Sequence, residues 1–254
     1  MSEINQTTVN GIVDWIKMVV GDHGITLGVS GGKDSSVVLA LCAKAVGPDK
    51  VQAVLLPNGI QRDINDSEEI CKFVGVTPTV INIGNIYKDF CGIADLDDKS
   101  KSNLAPRIRM TVLYALAQTN GNRVCGTGNL CERFVGWCTK WGDTACDFNP
   151  LGNFTVSEVI KIGRVLGLPP HLIEKAPADG ITGKTDEENL GVSYNRIEDF
   201  IDNWNRCITT FPDEIDNKIC SLNIKAYHKL NPVPMYEHDR SIVEESDKKE
   251  MKHD

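Results

Sequence analysis

A chain of 254 residues with a formal net charge of −8 and a sequence pI near 5.2 lacks the basic excess of a broad nucleic-acid face. With 41% apolar and 24% charged residues it has enough material for one large core, and no apolar run reaches the roughly 18–20 residues of a membrane span. The start, MSEINQTTVN, shows no signal peptide, and nine cysteines without a C-x-x-C pair predict reduced thiols in a cytoplasmic protein rather than a disulfide framework or a zinc site.

Residues 4–20 place Val9, Ile12, Val13, Ile16, Val19 and Val20 at helical spacing. The run ITLGVS predicts a buried strand, followed by a helix over 35–45 that ends before Gly47-Pro48. Strands are predicted at 51–57, 77–83 and 122–129, and helices at 63–75 and 84–91. A polar stretch at 95–103 precedes a helix over 106–119, with Pro106 in its first turn. Further helices are expected near 131–138, 155–167 and 187–203, and a disordered charged tail over 241–254. Residues 1–240 then read as a single domain. Strand–helix alternation predicts an α/β fold: an open parallel sheet with helices on both faces, Rossmann-like. Ligands of such sheets sit at the carboxyl ends of the strands. Two of those ends here carry glycine, GVSGGKDSS and CGTGN.

A strand, two glycines and a helix start make an anion seat. Glycines let backbone N–H groups approach a ligand, and the helix N-terminus adds unpaired donors. Ser30, Ser35 and Ser36 add hydroxyls. Asp34 is unfavourable beside phosphate unless it holds Mg²⁺. The string is neither G-x-x-x-x-G-K-[ST] nor G-x-G-x-x-G. A plain glycine turn capped by Asp34 is the simpler alternative.

The string S-G-G-x-D-S at a strand–helix junction resembles the pyrophosphate loop of the N-type ATP pyrophosphatases, which cut ATP between the α- and β-phosphates. That superfamily includes several amide ligases and tRNA-thiolating enzymes. Later segments, LPNGIQRD, NLAPRIRM, GTGNLCE, GWCTKWGDTACDFNPLGN and KTDEENLGVSY, are similar in order and spacing to the ammonia-dependent NAD synthetases, over about residues 10–235. The resemblance implies an adenine-nucleotide hydrolase-like sheet and an ATP site at Gly28, Val29, Ser30, Gly31, Gly32, Lys33, Asp34, Ser35 and Thr127. It implies Mg²⁺ ligands at Asp34 and Glu132, and contacts to deamido-NAD from Arg107, Lys140, Asp147, His228 and Lys229. It implies no covalent protein nucleophile, ATP and ammonia as co-substrates, and a homodimer using the helices near 4–20 and 104–119. Only 27 residues precede GVSGG, so no amidase domain is expected before the loop. Free ammonia or a separate partner is the expected nitrogen source.

Plainer readings stand beside these. Glu132 suits a helix N-terminus, Arg109 and Lys140 suit a solvated surface, and His228 suits a loop. Arg62 is as easily a solvent-facing arginine as a nucleotide contact. Two positions depart from the family pattern: Val156 stands where a phosphate-touching lysine is usual, and Pro177 where a hydroxyl is usual. Both changes predict weaker ATP binding or a compensating cation. Rival functions are a tRNA thiolase, disfavoured by the acidic charge and the missing cysteine pair, another amide ligase, and a nucleotide-binding relic without turnover.

Overall fold

The computed structural model describes residues 3–61, 64–175, 185–206 and 212–236. Arg62, Pro177 and the 241–254 tail lie outside the described residues.

Four strands, β1 (Ile25–Gly28), β2 (Val51–Leu55), β3 (Thr79–Val80) and β4 (Arg123–Val124), form one parallel sheet in the order β3-β2-β1-β4. β3 is shorter than its apolar run, yet Ile81 N donates to Leu55 O and Ile83 N to Pro57 O, both at 2.9 Å, so pairing with the β2 side continues past the regular strand. Alternation along the strands sends residues to opposite faces. Ile25, Leu27, Val51, Ala53 and Leu55 enter one cluster with α1 (Gln6–Val20), α2 (Lys33–Val46) and α7 (Val156–Val165). Val54 and Val124 enter a second cluster with α5 (Asp98–Asn120) on the other face. Both faces of the sheet are covered, as the alternating pattern predicts.

The helical stripe of α1 buries Val9, Ile12, Val13, Ile16 and Val20, while Val19 remains exposed. Two departures from the sequence reading matter for the site. The polar stretch at 95–103 is not a separate loop: α5 begins at Asp98, with the Asp97 carboxylate accepting from Ser100 N at 2.6 Å. Pro106 therefore lies inside the helix, where it removes one N–H but leaves the fixed φ compatible with continuation. The helix predicted over 187–203 is two, α9 (Asp186–Leu190) and α10 (Tyr194–Asn205), because Gly191 adopts φ +62 and ends the first. Between the others lie α3 (Ile64–Val74), α4 (Gly84–Cys91), α6 (Leu130–Val135) and the short α8 (Pro170–Ile173). The chain adds α11 (Glu214–Leu230), which places His228 and Lys229 in a last helical turn instead of a loop. A third apolar cluster joins α6, α9, α10 and α11 through Cys131, Val135, Leu190, Tyr194, Ile197 and Ile219. Among the described residues no helix is long and apolar enough to cross a membrane.

Candidate active site

The sheet order reverses direction between β1 and β4, where an open parallel sheet of this kind forms its ligand crevice outside the carboxyl ends of the strands. The two glycine-bearing turns read from the sequence are its walls. Beyond β1, Val29 N still donates to Val54 O at 3.0 Å before the chain turns. Gly31 has φ +79, and a Cβ there would lie 3.0 Å from Asp66 Cβ and Ser67 N, so conformation and the proximity of α3 both require glycine. The serines brace this loop. Ser35 Oγ and Ser36 Oγ donate to Gly32 O at 3.0 and 2.8 Å, and Gly32 N donates to Ser30 Oγ at 3.3 Å. Helices α1, α6, α7, α9 and α11 start with capping boxes, but α2 starts at Gly32 without a side-chain cap. The first-turn N–H groups of α2 therefore have neither an intrahelical nor a capping acceptor, which suits an anion.

The β4 turn supplies the second acid. Asn129, fully buried, caps α6 by accepting from Glu132 N at 3.0 Å, while its own N–H donates to Glu132 Oε2 at 3.1 Å. The same Asn129 donates through Nδ2 to Asp34 Oδ1 at 3.2 Å. One asparagine thus ties the α2 acid to the α6 acid. Thr127 lies partly buried in the turn between them. Burial of its carboxyl, and next the charge of Asp34, push the Glu132 pKa up to about 8. Two crowded carboxylates that resist ionising together suit a divalent cation. Among the described residues no group of three or more His, Cys, Asp or Glu could hold a metal. Mg²⁺, which takes one or two carboxylates together with phosphate and water oxygens, fits this pair.

Lys33 closes the inner side. It is 4% exposed, its Nζ lies 3.0 Å from Asp34 Oδ2, and it sits 5.8 Å from the Tyr194 ring centroid. Tyr194 donates its hydroxyl to Asp186 Oδ2 at 3.1 Å, and both residues are buried. Burial works against the Lys33 ammonium, but Asp34, then Glu132 and Asp186, outweigh it and hold its pKa above the ordinary lysine value. Asn129, Asp186 and Tyr194 carried no assigned role in the sequence reading. The T-x-x-E capping box at 185–188, which sets Asp186 at the first helical position, was the available signal.

The residues assigned to deamido-NAD gather on adjoining elements and are fastened to backbone carbonyls. Arg107 Nε donates to Lys140 O at 3.2 Å, Lys140 Nζ to His228 O at 2.7 Å, and Lys229 Nζ to Gly136 O and Cys138 O at 2.9 and 2.8 Å. Asp147 stands slightly apart, accepting from Tyr114 Oη at 3.1 Å and Val124 N at 2.8 Å, where it anchors the end of β4. Arg107 is exposed. Arg109, which also suited a solvated surface, instead points inward, donates to Leu56 O at 2.9 Å, and has its pKa lowered by burial. Trp141 was missed: it is 61% exposed beside Lys140, with φ +62 in the left-handed region.

Val156 begins α7 and packs against the third apolar cluster. That helix start is already closed by Thr155, Glu158 and Glu198, which accepts from Ser157 N and Oγ at 2.8 and 2.5 Å. Lys161 lies on the exposed side of α7 and does not replace a cation at 156.

Residues 8–233 match the family model described as NAD synthase. Among curated relatives, the NH(3)-dependent NAD(+) synthetase of Thermococcus sibiricus is 40% identical over 181 residues, 70% of this chain and 71% of the relative. Among solved structures, an NMN synthetase from Francisella tularensis superposes with TM-score 0.85 and 30% identity, covering 93% of this chain and 100% of that one. An NH3-dependent NAD synthetase from Campylobacter jejuni, in complex with the nitrate ion, gives TM-score 0.78 and 26% identity over 91% of this chain and 99% of that one.

Proposed function

The chain belongs to the NAD synthase family, and from that premise we propose how its crevice performs the reaction. It is a carbon–nitrogen ligase that amidates deamido-NAD with ammonia after ATP-dependent adenylation, as homologous NAD synthetases do. The pyridine carboxylate attacks the α-phosphorus. The bond to the α–β bridging oxygen breaks, and its electron pair leaves on pyrophosphate. Ammonia then attacks the acyl carbon, AMP leaves, and the new amide nitrogen loses a proton.

The first-turn N–H groups of α2 hold the departing pyrophosphate. Asp34 and Glu132 would hold Mg²⁺, which when bound would neutralise phosphate charge. Arg107, Lys140, Asp147, His228 and Lys229 build the wall that seats the acid. Positioning and charge neutralisation carry such chemistry, so no covalent nucleophile is assigned. The nearby thiols agree with this: burial pushes Cys131 up to about 12 and Cys138 up to about 11, far from thiolates at neutral pH.

The observation that carries this reading is the uncapped α2 start set beside Asp34 and Glu132, which Asn129 joins at the reversal of strand order. A homodimer is supported by the exposed Trp15, Met18 and Val19 of α1 and Tyr114 of α5. Free cysteines, eight among the described residues, support a reducing cytoplasmic setting.

The name of the Francisella structure favours one second reading, in which the amidated acid is the mononucleotide. One assay separates the two. Purified protein receives ATP, Mg²⁺ and ammonium, with deamido-NAD or nicotinic acid mononucleotide in parallel. Pyrophosphate, AMP and NAD in equal amounts with the dinucleotide are expected. Turnover with the mononucleotide alone overturns the substrate. Pyrophosphate release indifferent to both acids overturns the ligase reading itself.

A further inference from the structure

Lys33 stands at the charged centre of the crevice with most of its bonding capacity unused. The side chain is 3% exposed, so water does not solvate the ammonium. Its pairing with Asp34 Oδ2 at 3.0 Å is an ion pair, and beyond it Nζ has no acceptor among the described residues. An ammonium has three protons to donate. A buried donor left in that condition is costly unless a ligand completes it. On its own side, Asp34 divides its oxygens: Oδ1 accepts from Asn129 Nδ2, and Oδ2 faces Lys33. A metal ion that takes the oxygen free of Asn129 must therefore compete with Lys33 for it.

The rest of the setting fixes where Lys33 can turn. It is the first residue of α2, next to the uncapped N–H groups that suit phosphate. Behind it stands the Tyr194 ring, held by Asp186. Val156 belongs to the same apolar cluster as Tyr194 and brings no charge from α7. Among the loop residues 28–35, Lys33 is the cation available to a phosphate.

We propose that Lys33 is an exchangeable counter-ion: without nucleotide it neutralises Asp34, and when ATP arrives it turns to the phosphate oxygens and releases Asp34 to the divalent cation. This rests on the reading of Asp34 as a metal ligand and of the loop as the ATP phosphate seat. The exchange makes metal and nucleotide bind with positive coupling. Lys33 opposes the metal in the empty site and aids the nucleotide in the filled one. A lysine that only stabilised the loop would not have effects of opposite sign on the two ligands.

The test measures Mn²⁺ binding without nucleotide by electron paramagnetic resonance. It also measures binding of α,β-methylene-ATP with saturating Mg²⁺, in the full chain and in Lys33→Met. Methionine replaces the buried stem at similar length, and thermal melting checks the fold. The variant is expected to bind Mn²⁺ alone about five- to tenfold more tightly and the ATP analogue about tenfold more weakly. In the unaltered chain Mn²⁺ should bind at least about tenfold more tightly with the analogue than without it. Equal Mn²⁺ affinity with and without the analogue overturns the proposal even if Lys33→Met fails to fold. Both variant affinities moving in one direction, or neither moving, also overturns it. If the unaltered chain binds no analogue at all, the ATP reading of the loop falls, and this proposal falls with it.

Discussion

At the β1–α2 loop, Lys33, Asp34, Glu132 and Asp186 crowd into one electrostatic group, in which Lys33 Nζ has no hydrogen-bond partner among the described residues. On the adjoining wall of α5, the 136–147 turn and α11, Arg107, Lys140 and Lys229 each already donate to a backbone carbonyl. The first arrangement is poised for ligands that bring their own charge. The second is a clasp, in which cations join three elements and present a surface. Removing a charge should therefore act differently on the two sides: on chemistry at the loop, on shape at the clasp.

The largest effect is expected at the loop. Asp34→Asn and Glu132→Gln should each lower kcat/KM for NAD formation by about 10²–10³-fold, because the metal seat loses a carboxylate. Glu132→Gln should leave the melting temperature nearly unchanged at neutral pH, whereas Asp34→Asn should lower it, because the buried Lys33 ammonium loses its counter-ion. Glutamine at 132 keeps an oxygen for the Asn129 N–H, so the α6 cap survives. A loss below about tenfold in Glu132→Gln would remove that residue from the metal seat.

The clasp should respond by weakening the acid site and the fold together. Lys229→Met leaves Gly136 O and Cys138 O without their donor. It should raise KM for deamido-NAD about tenfold or more and lower the melting temperature, with KM for ATP unchanged. An effect confined to ATP would show that the two regions are not separable in this way.

This division also governs what the sequence could disclose. The loop was readable because its signals are local: two glycines, a strand end and a helix start fall within nine residues. Glu132 is singled out in the sequence only by the resemblance of GTGNLCE to the family motif, since an acid near a helix start has a plainer reading. Asn129, Asp186 and Tyr194 meet Lys33 and its partners only when α6, α9 and α10 fold together; the capping box at 185–188 marks a helix start but not what that start faces. Arg109 suits a solvated surface in the sequence, since spacing puts it on a different face from Arg107 without saying which face is inward. The position of β2 decides that, through Leu56 O. The start of α5 was misplaced because Pro106 was taken as a boundary, whereas Asp97 caps the helix nine residues earlier. His228 reads as a loop residue from the sequence alone, whereas the structure sets it in the last turn of α11.

Acidity offers a smaller and more graded probe of the loop. The Glu132 pKa, ordinarily near 4.5, is raised to about 8, so the folded free protein holds a proton there at neutrality. The stability this proton contributes is full below pH 4.5 and is lost as pH rises through 8. The metal needs the carboxylate, so its apparent affinity should climb up to about tenfold per pH unit below 8 and level off above it. Titrating Mg²⁺ into the complex with α,β-methylene-ATP from about pH 7 to about pH 9, roughly one unit either side of that value, checks the slope. Glu132→Gln should flatten both that slope and the pH dependence of melting. A slope that persists in the variant would assign the proton to another group.

The smallest change should come from placing a lysine at position 156. Val156 is the first residue of α7, partly buried against the cluster that contains Tyr194. A lysine there could run its stem along the apolar surface and bring an ammonium toward the phosphate seat. While Lys33 is present, the second ammonium meets a like charge, and the two gains do not add. Val156→Lys alone should therefore shift affinity for α,β-methylene-ATP by less than about twofold. In the Lys33→Met background the repulsion is gone and the phosphates lack a cation, so the same substitution should recover about fivefold. Equal effects in both backgrounds would mean that the two positions do not serve the same phosphate charge. The absence of lysine at 156 would then be independent of the lysine at 33.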